Sequence, residues 1–288
     1  MLFKNELIEE KNKDIMDSIY YAQKIQKAIL PQEELREKIL PNSFILFKPK
    51  DVVSGDFYWI AERDNKVFFT AADCTGHGVP GAFMSMVGTS LFNATVNEKG
   101  IIEPAKILDH VRAGVIKSLK QGEGQQSRDG MDAGLCALDT EKNILEYAGA
   151  NNPLYIVRHK DGPGLCDKDG QPLEIIPNLE DDSTLLYEVK PNKQPVAYYT
   201  EKAGLFTNHT VQLYPNDALY LSSDGFADQF GGPKGKKFKY KVFKQLLMSI
   251  MDYPVERQHS ILNQEIEDWM AGEYEQVDDI CVLGVKIV

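Results

Sequence analysis

The sequence predicts an α+β fold of mostly antiparallel sheets layered with helices. Three observations carry this. Short β-rich runs follow one another directly, helical stretches are inserted between them in pairs, and the first thirty residues hold a helical stripe without a breaker.

The stripe comes first. Ile8, Ile15, Ala22 and Ile29 recur every seven residues, with Ile19 and Ile25 one helical turn from two of them. No Gly or Pro intervenes before Pro31, so residues 1–30 read as one amphipathic helix of roughly seven or eight turns at 3.6 residues each. Two readings of this helix are open: packing on its own domain, or a coiled coil that joins the chain to a partner or sensor. A chain that starts in mid-helix also suggests a fragment of a longer sensor protein.

From Ser43 the pattern turns to short strands: F-I-L-F, D-F-Y-W-I and K-V-F-F-T-A-A-D, with the turn-like R-D-N between the last two. Gly76 to Gly81 break the chain, and a helix is expected from near Ala82 through Val96. A second helix spans about Pro104 to Leu119. Gln121 to Arg128 has the composition of a loop. Three strands follow: D-A-G-L-C-A-L-D, I-L-E-Y-A-G-A and P-L-Y-I-V-R. The polar, turn-rich segment 159–210 reads as loop with one or two peripheral strands. A-L-Y-L-S-S-D-G is a strand ending at an Asp-Gly turn, Tyr240–Ile250 and Glu256–Met270 are helices, and I-C-V-L-G-V-K-I-V is a closing strand.

Composition narrows the class. At 288 residues with 43% hydrophobic content, the chain has material for a substantial core. A net charge of −11 argues against nucleic acid or an anionic membrane as the main partner, since both reward Lys/Arg clusters. No apolar run approaches the ~20 residues of a membrane-spanning helix, and the N-terminus lacks the apolar core of a secretory signal. Cys74, Cys136, Cys166 and Cys281 form no C-x-x-C pair and read as free thiols of a reducing cytosol. The expectation is a cytoplasmic, acidic, globular protein.

Four acidic positions share one setting, an apolar β-run that meets an Asp beside Gly or another Asp. They are Asp56 in V-S-G-D-F-Y-W, Asp73 in A-A-D-C-T-G-H-G, Asp224 in L-S-S-D-G-F, and Asp278/Asp279 in V-D-D-I-C-V-L. Hard divalent cations want oxygen ligands, and two-metal hydrolytic sites need carboxylates converging from different segments. Any one Asp-Gly is explained by turn chemistry alone; four beside strong strands in one chain are not so easily dismissed.

The ordered set V-S-G-D-F-Y, A-D-C-T-G-H-G-V-P-G-A-F-M-S, A-G-A-N-N-P-L, L-S-S-D-G and D-D-I-C-V-L resembles the metal-dependent protein phosphatase (PPM, protein phosphatase 2C-like) family. The branch it looks like is that of the bacterial stage II sporulation protein E-like phosphatases, from about Ile19 to Val288. The resemblance implies a four-layer α-β-β-α sandwich of two mostly antiparallel sheets flanked by helices, preceded by the linker helix. It divides the chain into a regulatory helix, 1–30, and a phosphatase domain, 31–288. It also implies two Mn²⁺ or Mg²⁺ ions and a protein serine/threonine phosphatase that uses water activated between them. By the resemblance Asp73 bridges both metals, the Cys74 carbonyl binds one, Asp56 holds one directly or through water, and Asp224 and Asp278 ligate the other. Asp279 aligns with an Asn of related phosphatases and is the weaker ligand. Asn151 matches a family Asn and is read as structural; Trp59 stands where an acidic residue is common.

His77 has two readings, a general acid for the leaving serine oxygen and a structural residue of the G-H-G loop. Asp132 reads either as a further metal position or as a strand-edge residue. Lys48 and Lys50 are either phosphate receptors or solvated surface. Gly231 to Lys237 lacks Walker A spacing and reads as a basic flap near Asp224, facing an acidic or phosphorylated partner. By the resemblance the substrate is a phosphoserine or phosphothreonine of a regulatory protein such as a STAS-type anti-sigma-factor antagonist. Control passes through the N-terminal helix, from an upstream sensor domain or a homodimer, onto the helix after Asp73. The alternatives are a silent pseudophosphatase that binds phosphoprotein, and a metal-dependent phosphodiesterase or nucleotidase.

Overall fold

Phe68 and Phe69 are adjacent and both fully buried, yet they enter different cores, and that pair sets out the layering. In this computed structural model, which describes residues 2–123, 128–199 and 203–288, both lie on one strand, β3. Successive strand side chains point to opposite faces, so a strand whose two neighbours are both buried must be covered on both sides.

The chain begins with α1 (Leu2–Ile29) and α2 (Glu33–Ile39), then β1 (Ser43–Lys48), β2 (Phe57–Arg63) and β3 (Lys66–Cys74). Next come α3 (Gly78–Asn93), a π-helical turn (Ala94–Glu98), α4 (Pro104–Ser118), β4 (Met131–Asp139), β5 (Ile144–Ala150) and β6 (Leu154–His159). The rest comprises β7 (Pro177–Glu180), β8 (Thr184–Val189), β9 (His209–Gln212), β10 (Ala218–Ser222), the one-turn α5 (Gly225–Asp228), the short β11 (Phe230–Gly231) and β12 (Lys236–Lys237), α6 (Tyr240–Ile250), α7 (Val255–Met270) and β13 (Ile280–Lys286).

Two antiparallel sheets result, β1-β13-β10-β6-β8-β7 and β2-β3-β4-β5-β9. Phe69, Cys136 and Leu145 of the five-stranded sheet meet Ile156, Leu219 and Leu283 of the six-stranded one in the central core. On the outer face of the first, Phe57, Trp59 and Phe68 pack against Phe92, Ile107 and Val111 of α3 and α4. On the outer face of the second, Phe44, Tyr220 and Val282 pack against Phe243, Leu247 and Leu262 of α6 and α7. Each such fully buried side chain contributes on the order of 1.5–3 kcal/mol. The order is helix, sheet, sheet, helix, the expected four layers.

Three expectations need correction. The helix after Asp73 starts at Gly78, not near Ala82, because His77 already takes the extended N-cap conformation and the G-V-P-G segment forms its first turn. The segment 159–210 yields β7 at the sheet edge and β8 between it and β6, and its last residues also open β9, which pairs with β5. The Asp-Gly turn after β10 continues into the single helical turn α5. Residues 124–127 of the expected loop 121–128 lie outside the described residues.

The N-terminal helix divides lengthwise between the two readings. Gln26 is 5% exposed; its amide donates to Ser54 O (2.6 Å) and Ser85 Oγ (2.9 Å) and accepts from Ser54 N (3.1 Å). Gln23 donates to Val52 O at 2.7 Å, and Leu30 enters the core under α3. The packing face is thus centred on Gln23, Gln26 and Leu30, with Ile19 and Ala22 of the stripe half-buried beside it, whereas Ile8 and Ile15 stay more than half exposed (56% and 57%). No helix among the described residues is long and apolar enough to cross a membrane.

Candidate metal centre

Antiparallel pairing brings strand ends of opposite sense to one edge of the sandwich. Asp73 near the end of β3 pairs in register with Asp132 at the start of β4, and Asp56 immediately precedes β2 beside them. From the facing sheet, Asp224 follows β10, and Asp278 and Asp279 precede β13. The sequence-predicted carboxylates of both sheets therefore share one neighbourhood, and Asp132 joins them.

Asp56 is 3% exposed, and its Oδ2 accepts no hydrogen bond among the described residues. Burial pushes its carboxyl well above the usual range; Asp73 pushes it further, Asp279 and Asp278 add, and a hydrogen bond with Ser223 opposes. Asp73 is pushed up to about 8, by burial first and then by Asp224, Asp278 and Asp132, while the Asp224 backbone amide opposes. Asp224 is raised by burial and then by Asp278 and Asp228. Burial also raises Asp132, whose Oδ1 accepts from Asn151 Nδ2 at 2.8 Å. That bond fits the supporting role read for Asn151.

Asp279 differs. Its two oxygens accept backbone amides of Lys50 (2.7 Å) and Gly55 (2.7 Å), so it closes the 50–56 loop that carries Asp56. Burial raises its carboxyl and those amides oppose the rise. Asp278 Oδ1 accepts the Asp279 amide at 2.9 Å. The Cys74 thiol points into the core and is pushed up by burial, which leaves the backbone carbonyl as its available donor. That carbonyl faces Gly55. A Cβ on Gly55 would overlap Gly76 O, and one on Gly81 would overlap the same atom, so glycine permits the close approach of these three backbones.

The donor set tests whether divalent ions fit. The groups acting most strongly on Asp56, Asp73 and Asp224 include no lysine or arginine. Buried carboxylates without a cationic partner are costly, and an orphaned buried oxygen adds to that cost. An all-oxygen set of this kind suits Mg²⁺ or Mn²⁺ better than a thiolate-preferring metal. Among the described residues, no three acidic, imidazole or thiol groups are already closed round one point. The residues fit divalent cations in chemistry, as a cradle whose ligands still have to close.

His77 stands at the rim. Its Nδ1 lies 2.7 Å from Asp51 Oδ2 and its Nε2 3.2 Å from Lys50 Nζ. Lys50 is thus engaged with the imidazole, whereas Lys48 bonds Glu267 (2.9 Å) and Asn263 (3.0 Å) on α7 and serves packing. Sequence reasoning missed Asp51 and Tyr240. The Tyr240 phenol, at the start of α6, is pushed up by burial and then by Asp224, Asp228, Asp73 and Asp132, which places it beside the cluster. Neither residue carries a sequence signal, since only the tertiary fold brings them here.

Paired sheets between helices, with carboxylates from both sheets at one edge, define the PP2C type of metal-dependent protein serine/threonine phosphatase. The family model for stage II sporulation protein E (SpoIIE) matches residues 63–288, and the chain belongs to that family. The SiaA PP2C domain of Pseudomonas aeruginosa is 31% identical, with a TM-score of 0.78 over 96% of this chain and 99% of that one. The phosphatase domain with a regulatory fragment of Bacillus subtilis SpoIIE shares the fold at 17% identity and TM-score 0.60, over 85% and 62% of the two chains. RsbX, solved in complex with magnesium, does so at 13% identity and TM-score 0.52, over 84% and 93%. A comparison with curated protein sequences gave no match.

Proposed function

We propose that the chain hydrolyses phosphoserine or phosphothreonine on a regulatory protein, with two Mn²⁺ or Mg²⁺ ions held by Asp56, Asp73, the Cys74 carbonyl, Asp224 and Asp278. The observation that carries this is the buried Asp56 Oδ2, which has no hydrogen-bond partner among the described residues, in a cluster whose strongest influences on that carboxyl are burial and other aspartates. When bound, such ions acidify water for attack on phosphorus and neutralise the phosphoryl oxygens. Asp279 serves the site by tying the 50–56 loop, which agrees with its weaker standing as a ligand. Asp132, held by Asn151, is a further acidic position beside Asp73.

His77 is the proton donor to the leaving serine or threonine oxygen in this reading. Asp51 at Nδ1 orients the imidazole, and Nε2, which Lys50 contacts at 3.2 Å, is the ring atom that would have to face the leaving oxygen. The partner is a phosphoprotein of the STAS-type antagonist kind in the cytoplasm; the fold neighbours RsbU and SiaA support a regulatory setting.

Residues 31–288 are the catalytic unit and residues 1–30 the regulatory helix. The Gln26 bonds to Ser54 and Ser85 support this, because they link α1 both to the loop before Asp56 and to α3. The exposed Ile8 and Ile15 suit a coiled coil with a second copy or an upstream sensor helix. One assay tests both halves of the proposal: hydrolysis of a phosphoserine peptide with and without Mn²⁺, by the full chain and by a chain lacking residues 1–30. Manganese-dependent turnover by the full chain, altered severalfold in rate or metal requirement by the truncation, is expected. Metal-independent turnover would defeat the mechanism, and identical kinetics and oligomeric state after truncation would defeat the regulatory role.

A further inference from the structure

Six lysines fall within eleven residues, Lys234 to Lys244, with no acidic residue among them, in a chain whose net charge is −11. Lys237 pairs with Asp228 (2.8 Å) and Lys244 with Glu188 (2.5 Å). Lys234, Lys236, Lys239 and Lys241 are exposed, and no ion pair is seen for them among the described residues.

The segment that carries them is rigidly built. Trp269 Nε1 and the Phe238 amide both donate to Gln229 O (3.1 and 2.9 Å), and the Gln229 side chain holds Glu275 O and the Val277 amide. Phe238 packs edge-on against Phe226 (5.1 Å) and Trp269 (5.2 Å). Lys239 is held at φ +78°, a region that L side chains rarely adopt, with its amide bonded to Ala227 O at 2.7 Å. Strain of this kind persists where surrounding structure imposes it and concentrates at functional surfaces.

The segment lies beside the acidic cluster, with Lys237 paired to Asp228. Asp228 acts on Asp224, and Tyr240 feels Asp224, Asp73 and Asp132. The ammonium groups themselves are not among the main influences on those carboxylates.

We propose that this lysine-bearing hairpin, β11–β12 with the start of α6, is the docking surface for an acidic face of the phosphoprotein substrate beside its phosphorylated residue. The inference rests on the phosphatase reading for what the partner is, and on charge complementarity for how it is recognised. The acidic remainder of the chain repels extended polyanions, which favours a protein with a local acidic patch over nucleic acid or membrane.

The test uses two peptides of one sequence, each with a non-hydrolysable phosphonate analogue of phosphoserine, flanked by either glutamates or glutamines. Binding is read by fluorescence anisotropy with Mn²⁺ present. The full chain is expected to bind the glutamate peptide about tenfold more tightly at low salt, a preference that fades at roughly 0.5 M salt. Lys234→Glu/Lys236→Glu/Lys239→Glu should reverse the preference. A milder variant, Lys234→Gln/Lys236→Gln/Lys239→Gly, should abolish it while relieving the Lys239 strain, so that loss of fold cannot mimic the result.

Equal binding of both peptides by the full chain, or the same preference in both variants, overturns the proposal. So does hairpin-dependent binding of a single-stranded oligonucleotide or of phosphatidylglycerol vesicles when the peptides are not distinguished. Turnover of p-nitrophenyl phosphate, measured alongside, reports on the phosphatase reading independently.

Discussion

Asp73→Asn is expected to lower Mn²⁺-dependent kcat/KM on p-nitrophenyl phosphate by about 10³ or more. Asp73 is the residue on which the others converge: it faces Asp224, Asp278 and Asp132, and it adds to the burden on Asp56. Asparagine keeps the shape of this buried side chain but removes the charge that a cation needs. A cationic clamp on the transferring phosphoryl group is worth several kcal/mol, and each ~1.4 kcal/mol is a factor of ten in rate. The fold should survive, because asparagine is neutral and isosteric where burial already holds the metal-free Asp73 carboxyl protonated up to about 8. Steady-state kinetics at saturating Mn²⁺ decides it; activity within tenfold of wild type would remove Asp73 from the centre of the site.

The second large effect is on stability. The Asp73 carboxyl stands at about 8 in the folded protein against an ordinary 3.8. Below the lower value both folded and unfolded states are protonated and the group is neutral to folding. As pH rises through the window between the two, the unfolded state gives up its proton and the folded state keeps it, so stability is lost by up to ~1.4 kcal/mol per pH unit. Asp56, Asp224, Asp132 and Asp279 are shifted in the same direction. Carboxyls held below their ordinary values, Glu33, Asp139 and Asp181 among them, act at the opposite end and lose their contribution only under acid conditions.

Between pH 5.5 and 8 the metal-free protein should therefore lose at least ~4 °C in Tm, at a few degrees per kcal/mol for a chain of this size. Asp73→Asn should flatten that slope, and Mn²⁺ should raise Tm more at pH 8 than at pH 5.5. A Tm that climbs across this window, with no response to Mn²⁺, would contradict the reading of the cluster.

Much of this was legible in the sequence because burial on both faces leaves a simple trace. V-F-F-T-A-A of β3 and I-C-V-L-G-V of β13 are nearly unbroken apolar runs, as strands of a covered sheet must be. The aspartates stood out because each lies at one end of such a run, three of the four beside a glycine or a second acid and Asp73 just before the glycine-rich T-G-H-G. β9 did not stand out: it is four residues long at a sheet edge, and H-T-V-Q neither alternates nor concentrates apolar side chains. The start of α3 was hidden because two glycines and a proline in its first turn read as a break.

The roles of Asp51, Tyr240 and Gln26 depend on tertiary contacts with residues 26, up to 167 and up to 59 positions away, which no local pattern encodes. The isoleucine stripe was visible, but its heptad spacing gave no sign that a glutamine face of the same helix makes the contact with the domain.

The central claim is that these carboxylates hold divalent ions. Calorimetric titration of Mn²⁺ into the metal-free chain at pH 8 tests it most directly. The predicted result is saturable uptake of about two ions per chain, with proton release, and fewer ions for Asp73→Asn. A wild-type chain that takes up no Mn²⁺, or takes up the same number after the substitution, would contradict it.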